Sequence, residues 1–186
     1  MQKTKKHLAG KLFSTTPAIA DDDGRTHAAV ATVLCKIEDQ PHVLFIQRSE
    51  SPHDPWSGQI AFPGGRIDPE DGDLQDTAVR ETFEEVGLDL VNARYLGCLP
   101  PLATFNQLVM ISTFVYVIGQ VPKLILDPLE VADTHWIPIN VLNDNNRMVT
   151  HEHHGASYPG VDILNGRPVL WGLTLKICQS LFSDLC

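Results

Sequence analysis

The segment GGRIDPEDGD (64–73) leads into LQDTAVRETFEEVGL (74–88): a glycine pair, an acidic loop, then a run with helical periodicity. Leu74, Ala78, Phe83 and Val86 supply apolar positions at helical spacing, and Gly87 stands where a helix C-terminus belongs. On that helix Glu81, Glu84 and Glu85 fall at i, i+3 and i+4, so their carboxylates project within one turn of each other. Like charges placed so closely repel, and a hard divalent cation removes the conflict, because Mg²⁺ and Mn²⁺ favour oxygen ligands. Taken alone, an ExxEE run reads as readily as a solvated acidic helix face. Joined to Gly64 and Gly65, where backbone can approach a ligand without an intervening side chain, it points to a cation and a phosphate.

Outward from this segment, HAAVATVLCKI (27–37) and HVLFIQR (42–48) are β-branched-rich and read as a strand hairpin broken at Asp39-Gln40-Pro41. SESPHDPWSG (49–58) reads as an irregular loop and QIAF (59–62) as a short strand. Further strands are expected at 93–99, 108–118 and 130–137, a short helix at 138–144, a loop-rich stretch over 145–167, and a strand start followed by a terminal amphipathic helix over 168–185. Few helices around strands that do not simply alternate with them indicate an α+β domain with a mixed sheet. The expected organisation is an N-terminal extension over 1–26 and a single domain over 27–186. The extension is basic, has no acid before Asp21, and lacks the apolar core of a secretory signal. It reads as a plain helical or frayed segment in preference to a transit peptide.

The chain has 186 residues, 14 Lys+Arg and 23 Asp+Glu, for a formal charge of −9. This acid excess argues against non-specific nucleic-acid binding and against an anionic membrane surface as partner. Nine of the 23 acids lie in residues 65–89, opposed there only by Arg66 and Arg80, so the imbalance is concentrated in one loop and one helix. No apolar run reaches the roughly 18–20 residues that span a bilayer. Cys35, Cys98, Cys178 and Cys186 form no CxxC pair and read as thiols in a reducing cytoplasm.

Residues 64–88 resemble the signature of the Nudix hydrolase family, G-x5-E-x7-R-E-U-x-E-E-x-G-U with U aliphatic. Arg80, Glu81, Glu84, Glu85, Gly87 and Leu88 match, and Thr82 stands where an aliphatic residue is usual. The loop is one residue longer than the pattern, so the early acidic position falls on Asp71 counted from Gly65, or on Gly72 counted from Arg80. Segment 44–88, with its LFIQRS and SGQIAFPGGRIDPEDGD runs, is similar to the coenzyme A diphosphatase branch, as is PVLWGLTLKI (168–177). The loop after Arg48-Ser49 departs from that branch's Leu-x-x-His-x-Gly run.

The resemblance implies an α/β/α sandwich of Nudix type, a mixed sheet flanked by the catalytic helix and the C-terminal helix. It implies Mg²⁺- or Mn²⁺-dependent hydrolysis of a diphosphate linkage, with coenzyme A or an acyl derivative as substrate. ADP-ribose, a dinucleoside polyphosphate or a nucleoside triphosphate is the alternative, and a non-catalytic ligand-sensing module is the rival of a different class. By the family pattern Glu81, Glu84 and Glu85 hold metal, the Gly65 carbonyl adds a ligand, and Arg80 orients the carboxylates. The general base is one of these glutamates or another nearby. Arg48, Gly64 and Gly65 are candidates for substrate contact, and Glu130 for an extra acid from a distant loop. The partner is a small-molecule diphosphate, and the choice between monomer and homodimer is open.

Several other features weigh against function when read singly. His151-Glu152-His153-His154 lacks the spacing of a zinc site and reads as a polar loop bordering the pocket. Trp56, Phe105 and Tyr158 sit in loop contexts and read as partly buried packing before stacking surfaces, and Trp136 and Trp171 as core.

Overall fold

The structure is a computed structural model that describes residues 1–17, 24–52, 54–104, 108–166, 168–183 and 185. Phe105 and Cys186 lie outside the described residues. Among the described residues eight strands build a mixed sheet around β1 (Thr26–Ile37), β2 (Gln40–Arg48) and β7 (Val109–Val117). β1 runs parallel to β7, with Thr26 beside Val109 and Leu34 beside Val117. The C-terminal half of β1 forms the expected hairpin with β2, and its N-terminal half pairs antiparallel with β4 (Gly64–Arg66). β3 (Ile60–Ala61) and β8 (Val131–Pro138) pair with β2, while β5 (Arg94–Cys98) and β6 (Leu102–Ala103) pair with β7.

Strand alternation sends successive side chains to opposite faces, and here both faces are covered. Val33, Leu44, Ile46, Phe114 and Tyr116 point to one side, where helix α2 (Leu74–Val86) lies on them through Leu74, Ala78 and Val86. Their neighbours Leu34, Val43, Phe45, Val115 and Val117 point to the other. There they meet α3 (Ile139–Leu142) and the terminal helix α4 (Gly172–Phe182) through Ile139, Ile177, Leu181 and Phe182. The result is a sheet between helical layers, as the α+β reading anticipates.

Two segments differ from expectation. The stretch 145–167 folds as a hairpin of β9 (Met148–His153) and β10 (Ala156–Val161), joined to β11 (Leu170–Trp171) in a second small sheet. His154 and Gly155 form its turn, both at positive φ (49° and 76°), the geometry a two-residue hairpin turn needs. Its strands carry polar residues on exposed faces, so the hydrophobic alternation that marks a strand is absent from the sequence. The N-terminal extension, expected as a helical or frayed segment outside the domain, is helical and packs into the core. Helix α1 (Gln2–Ala9) buries Leu8 completely in the layer with α4, the His7 ring meets the Leu181 carbonyl at 3.2 Å, and Phe13 exchanges two 2.9 Å backbone hydrogen bonds with Cys98. Truncating that side chain tests the contribution of α1. We expect Leu8→Ala to cost about 2–5 kcal/mol in urea unfolding, against about 0.5 kcal/mol or less for a segment that merely rests on the surface.

Candidate active site

Helix α2 is stopped firmly at both ends. The Asp73 carboxylate accepts from the Gln75 and Asp76 N–H groups at 2.7 and 2.9 Å, and Gly87 closes the helix at φ 67° with its N–H on the Phe83 carbonyl. Thr82, which replaces an aliphatic residue, is fully buried, and its hydroxyl donates to the Ala78 carbonyl one turn back at 2.6 Å. The hydroxyl is thereby satisfied and the position serves the apolar face.

The three glutamates of the helix do not share one environment. Glu81 and Glu85, one turn apart, face β4, while Glu84 lies around the cylinder on the flank of Arg80. Glu85 is only 1% exposed, and one of its carboxylate oxygens accepts the Gly64 N–H at 2.8 Å. Gly64 sits at φ 149° against the β1 backbone, and a side chain at Gly65 would run into the Glu81 carboxylate. Both glycines are therefore required by close approach. Glu130 joins Glu81 and Glu85 from the turn before β8, with one ligand oxygen of each lying within 4.8 Å of the others. Among the described residues this is the group of acids, histidines or cysteines close enough to share a cation. Glu84 is outside it, 55% exposed at the side chain and bonded to Arg80 at 2.8 Å.

Glu130 reaches the group because the preceding segment is stitched to the end of α2. The Ile125 N–H donates to the Val86 carbonyl and the Asp127 N–H to the Glu85 carbonyl, both at 2.9 Å. Asp127 then accepts on its carbonyl from Glu130 and Val131. These bonds satisfy orphan carbonyls of the helix C-terminus while delivering the third acid.

Arg80 braces the opposite flank. Its guanidinium grips both oxygens of Asp71 at 2.9 Å, Glu81 at 3.0 Å, Glu84 at 2.8 Å and the Arg66 carbonyl at 3.2 Å. Asp71 also accepts from the Thr77 hydroxyl and the Asp68 N–H, so it is committed to holding Arg80 and the loop. The Arg80 hydrogen bonds hold the Asp71 carboxyl down at about 2, and Asp71 in turn raises the guanidinium above its ordinary value. The extra loop residue leaves the early acid on Asp71.

Burial pushes the Glu85 carboxyl up to about 8. The Gly64 N–H opposes this, Glu81 and Glu130 add to it, and the charge of Arg48 pulls it back. Burial also raises Glu81, against the pull of Arg80. Arg48 stands close enough for Glu85 to feel its charge, with its guanidinium on one Asp54 oxygen at 2.9 and 2.7 Å. That pairing with Asp54 is not apparent from the sequence. Nor is the ring cluster beyond it, where Trp56 (52% exposed) stacks on His153 beside the buried Trp171. Its one sequence signal is the i, i+2 spacing of His151 and His153, which puts both on one face of a strand. Trp136 is half-buried rather than fully enclosed.

Residues 25–157 match the NUDIX domain family. The chain belongs to the Nudix family. It is 33% identical over 160 residues to "Mitochondrial coenzyme A diphosphatase NUDT8" of Mus musculus, covering 82% of this chain and 74% of that protein. Its fold is similar to that of a MutT/nudix family protein from Enterococcus faecalis, with a TM-score of 0.60 at 22% identity over 91% of this chain and 65% of the other. The NUDIX domain of Shewanella oneidensis NrtR, solved with ADP ribose, has a TM-score of 0.57 at 18% identity over 91% and 94% of the two chains. The chain is thus an enzyme of the Nudix diphosphatase type. No helix among the described residues is long and apolar enough to cross a membrane.

The donor set fits the divalent metal that such enzymes generally use: three carboxylates converge, one of them buried, and Arg80 on Glu81 and the nearby Arg48 offset them only in part. Glu85, raised from 4.5 to about 8, binds a proton on folding. Its contribution to the stability of metal-free protein is full below pH 4.5 and is lost as pH rises through about 8. A cation must displace that proton, so the rise in melting temperature on adding Mg²⁺ should be larger at about pH 9 than at about pH 6. Thermal melts in EDTA and in millimolar Mg²⁺ at both pH values check this, and equal gains would contradict it.

Proposed function

We propose that this enzyme hydrolyses the P–O–P linkage of coenzyme A or an acyl derivative with Mg²⁺ or Mn²⁺. The observation that carries the metal site is the convergence of Glu81, Glu85 and Glu130 on one point beside Gly65. These three carboxylates would hold the cation, with the Gly65 carbonyl as a further ligand and Glu84 kept on Arg80. The chemistry such a cation would supply when bound is stabilisation of the negative charge that grows on the leaving phosphate. The substrate reading is supported by segment 44–88 and by the 33% identity to a coenzyme A diphosphatase.

The chain's own residues divide the remaining work. Arg80 bridges Glu81 and Glu84 through one guanidinium nitrogen and orients them without touching substrate. Glu130, the solvent-exposed member of the group, accepts the proton of the attacking water. Arg48, beside the acids, receives a phosphate oxygen. The free buried thiols Cys35, Cys98 and Cys178 accord with a reducing compartment such as the cytoplasm.

Glu85→Gln should abolish Mg²⁺-dependent turnover while leaving the fold intact, since the amide oxygen still accepts the Gly64 N–H and the buried charge is gone. Glu130→Gln should lower kcat about 10²-fold or more and keep part of the Mg²⁺-induced rise in melting temperature. A panel of coenzyme A, ADP-ribose, NADH, dinucleoside polyphosphates and nucleoside triphosphates, with products read by mass, checks the substrate. Unchanged turnover in Glu85→Gln would overturn the site, and preference for another member of the panel would overturn coenzyme A.

A further inference from the structure

One face of the small sheet is built from rings. His151 and His153 alternate onto it from β9, Tyr158 stands across from His151 on β10, and Trp171 follows on β11 beside the bare Gly160. Trp171 lies 4.5 Å from His151, 4.7 Å from His153 and 5.0 Å from Tyr158 between ring centroids, and 7% of it is exposed. It forms the floor of the cluster. Trp56 comes from another part of the chain, the loop between β2 and β3, and its ring lies on His153 at 5.8 Å and 17°. One of its faces is thereby backed, and half of its surface remains open to solvent.

The loop that presents Trp56 is braced. The Ser57 hydroxyl donates to Glu50, the Gly58 N–H donates to the Arg48 carbonyl, and a side chain at Gly58, which sits at φ 70°, would collide with Glu50. Asp54 ties the backbone of Trp56 to Arg48. One of its oxygens takes the Arg48 guanidinium and the other accepts the Trp56 N–H at 3.0 Å. Burial alone would raise this carboxyl, but the bonds from Trp56 and Arg48 hold it below its ordinary value, so it stays ionised. The chain of contacts runs from Glu85, through the field of Arg48, to Asp54 and Trp56.

An exposed indole that served only to seal the core would be covered, and one on a slack loop would hold no fixed plane. This one is half open, backed by an imidazole, and its backbone is held through Asp54 to Arg48. We propose that Trp56, supported by His153 and Trp171, is the stacking platform for the nucleobase of the substrate, and so a specificity-determining residue. The inference rests on the diphosphate reading of the acidic group. It commits to a nucleotide half with a flat heterocycle, stacked on Trp56 while its phosphates extend past Arg48 toward Glu81, Glu85 and Glu130. Burial, and then the neighbouring His154 and His151, lower the His153 imidazole, which keeps the backing ring neutral around pH 7.

The test uses AMP, which carries base and phosphate but no P–O–P bond, added to the full chain in EDTA while binding is followed by isothermal titration calorimetry. AMP should bind the wild type. Trp56→Ala should raise its Kd by about five-fold or more, the loss of one base–aromatic stack, and Trp56→Phe should restore most of the affinity. Ribose 5-phosphate, with the phosphate but no base, should bind with no dependence on Trp56. An AMP affinity unchanged in Trp56→Ala, or no AMP binding at millimolar concentration, would overturn the platform. Neither result depends on turnover, so a failure here is distinct from failure of the diphosphatase reading, which Glu85→Gln and the substrate panel decide.

Discussion

A carboxylate that folding removes almost entirely from water is the constraint around which the rest is arranged. Glu85 points into the junction of α2 and β4 and is met there by one backbone N–H and two further carboxylates. An isolated charge in such a place is costly, and two like neighbours make it more so. The fold meets this in three ways. Gly64 and Gly65 omit the side chains that would occupy the space, Arg80 draws Glu81 and Glu84 toward Asp71, and Arg48 adds positive charge from the far rim. What remains is a deficit of positive charge localised at one point, which suits a small divalent cation better than another arginine. Stability has been given up locally, and the layered core beneath α2 supplies it elsewhere.

The same constraint explains why α2 is capped so firmly. A frayed first turn would release Asp73 and loosen Thr77, one of the groups holding Asp71 and, through it, Arg80. A frayed last turn would withdraw Glu85. Asp71 and Asp73 thus do different work two residues apart: one anchors a guanidinium and the other anchors the helix start.

Much of this was legible in the sequence because it rests on short-range rules. The α2 boundaries follow from Leu74, Ala78 and Val86 with Gly87 behind them, and the main strands from runs of β-branched residues buried on both faces. The site was legible in part. Glu81 and Glu85 are one turn apart on any helix, but whether Glu84 sides with them depends on where Arg80 finds its partner, and that partner, Asp71, is nine residues away across a loop. Glu130 is brought in by backbone bonds to a helix end far off in sequence, which no local pattern encodes. The hairpin over 148–161 escaped because its strands are polar outside and its turn is His-Gly rather than Asn-Gly. The docking of helix α1, though not its helicity, escaped because one fully buried leucine, Leu8, anchors it in the core. The ring cluster escaped because Trp56 and Trp171 are distant in sequence and the histidines between them read as a polar loop rather than as a strand face.

The bonds from Ile125 and Asp127 to the last carbonyls of α2 have a consequence for motion. They make the end of the helix and the entry to β8 a single cooperative unit, because neither can open without exposing the other's polar groups. The backbone segments that carry Glu85 and Glu130 therefore hold or open together, while the exposed Glu130 side chain still changes rotamer within that frame. Opening of that one helical turn would part Glu85 from both of its partners at a stroke.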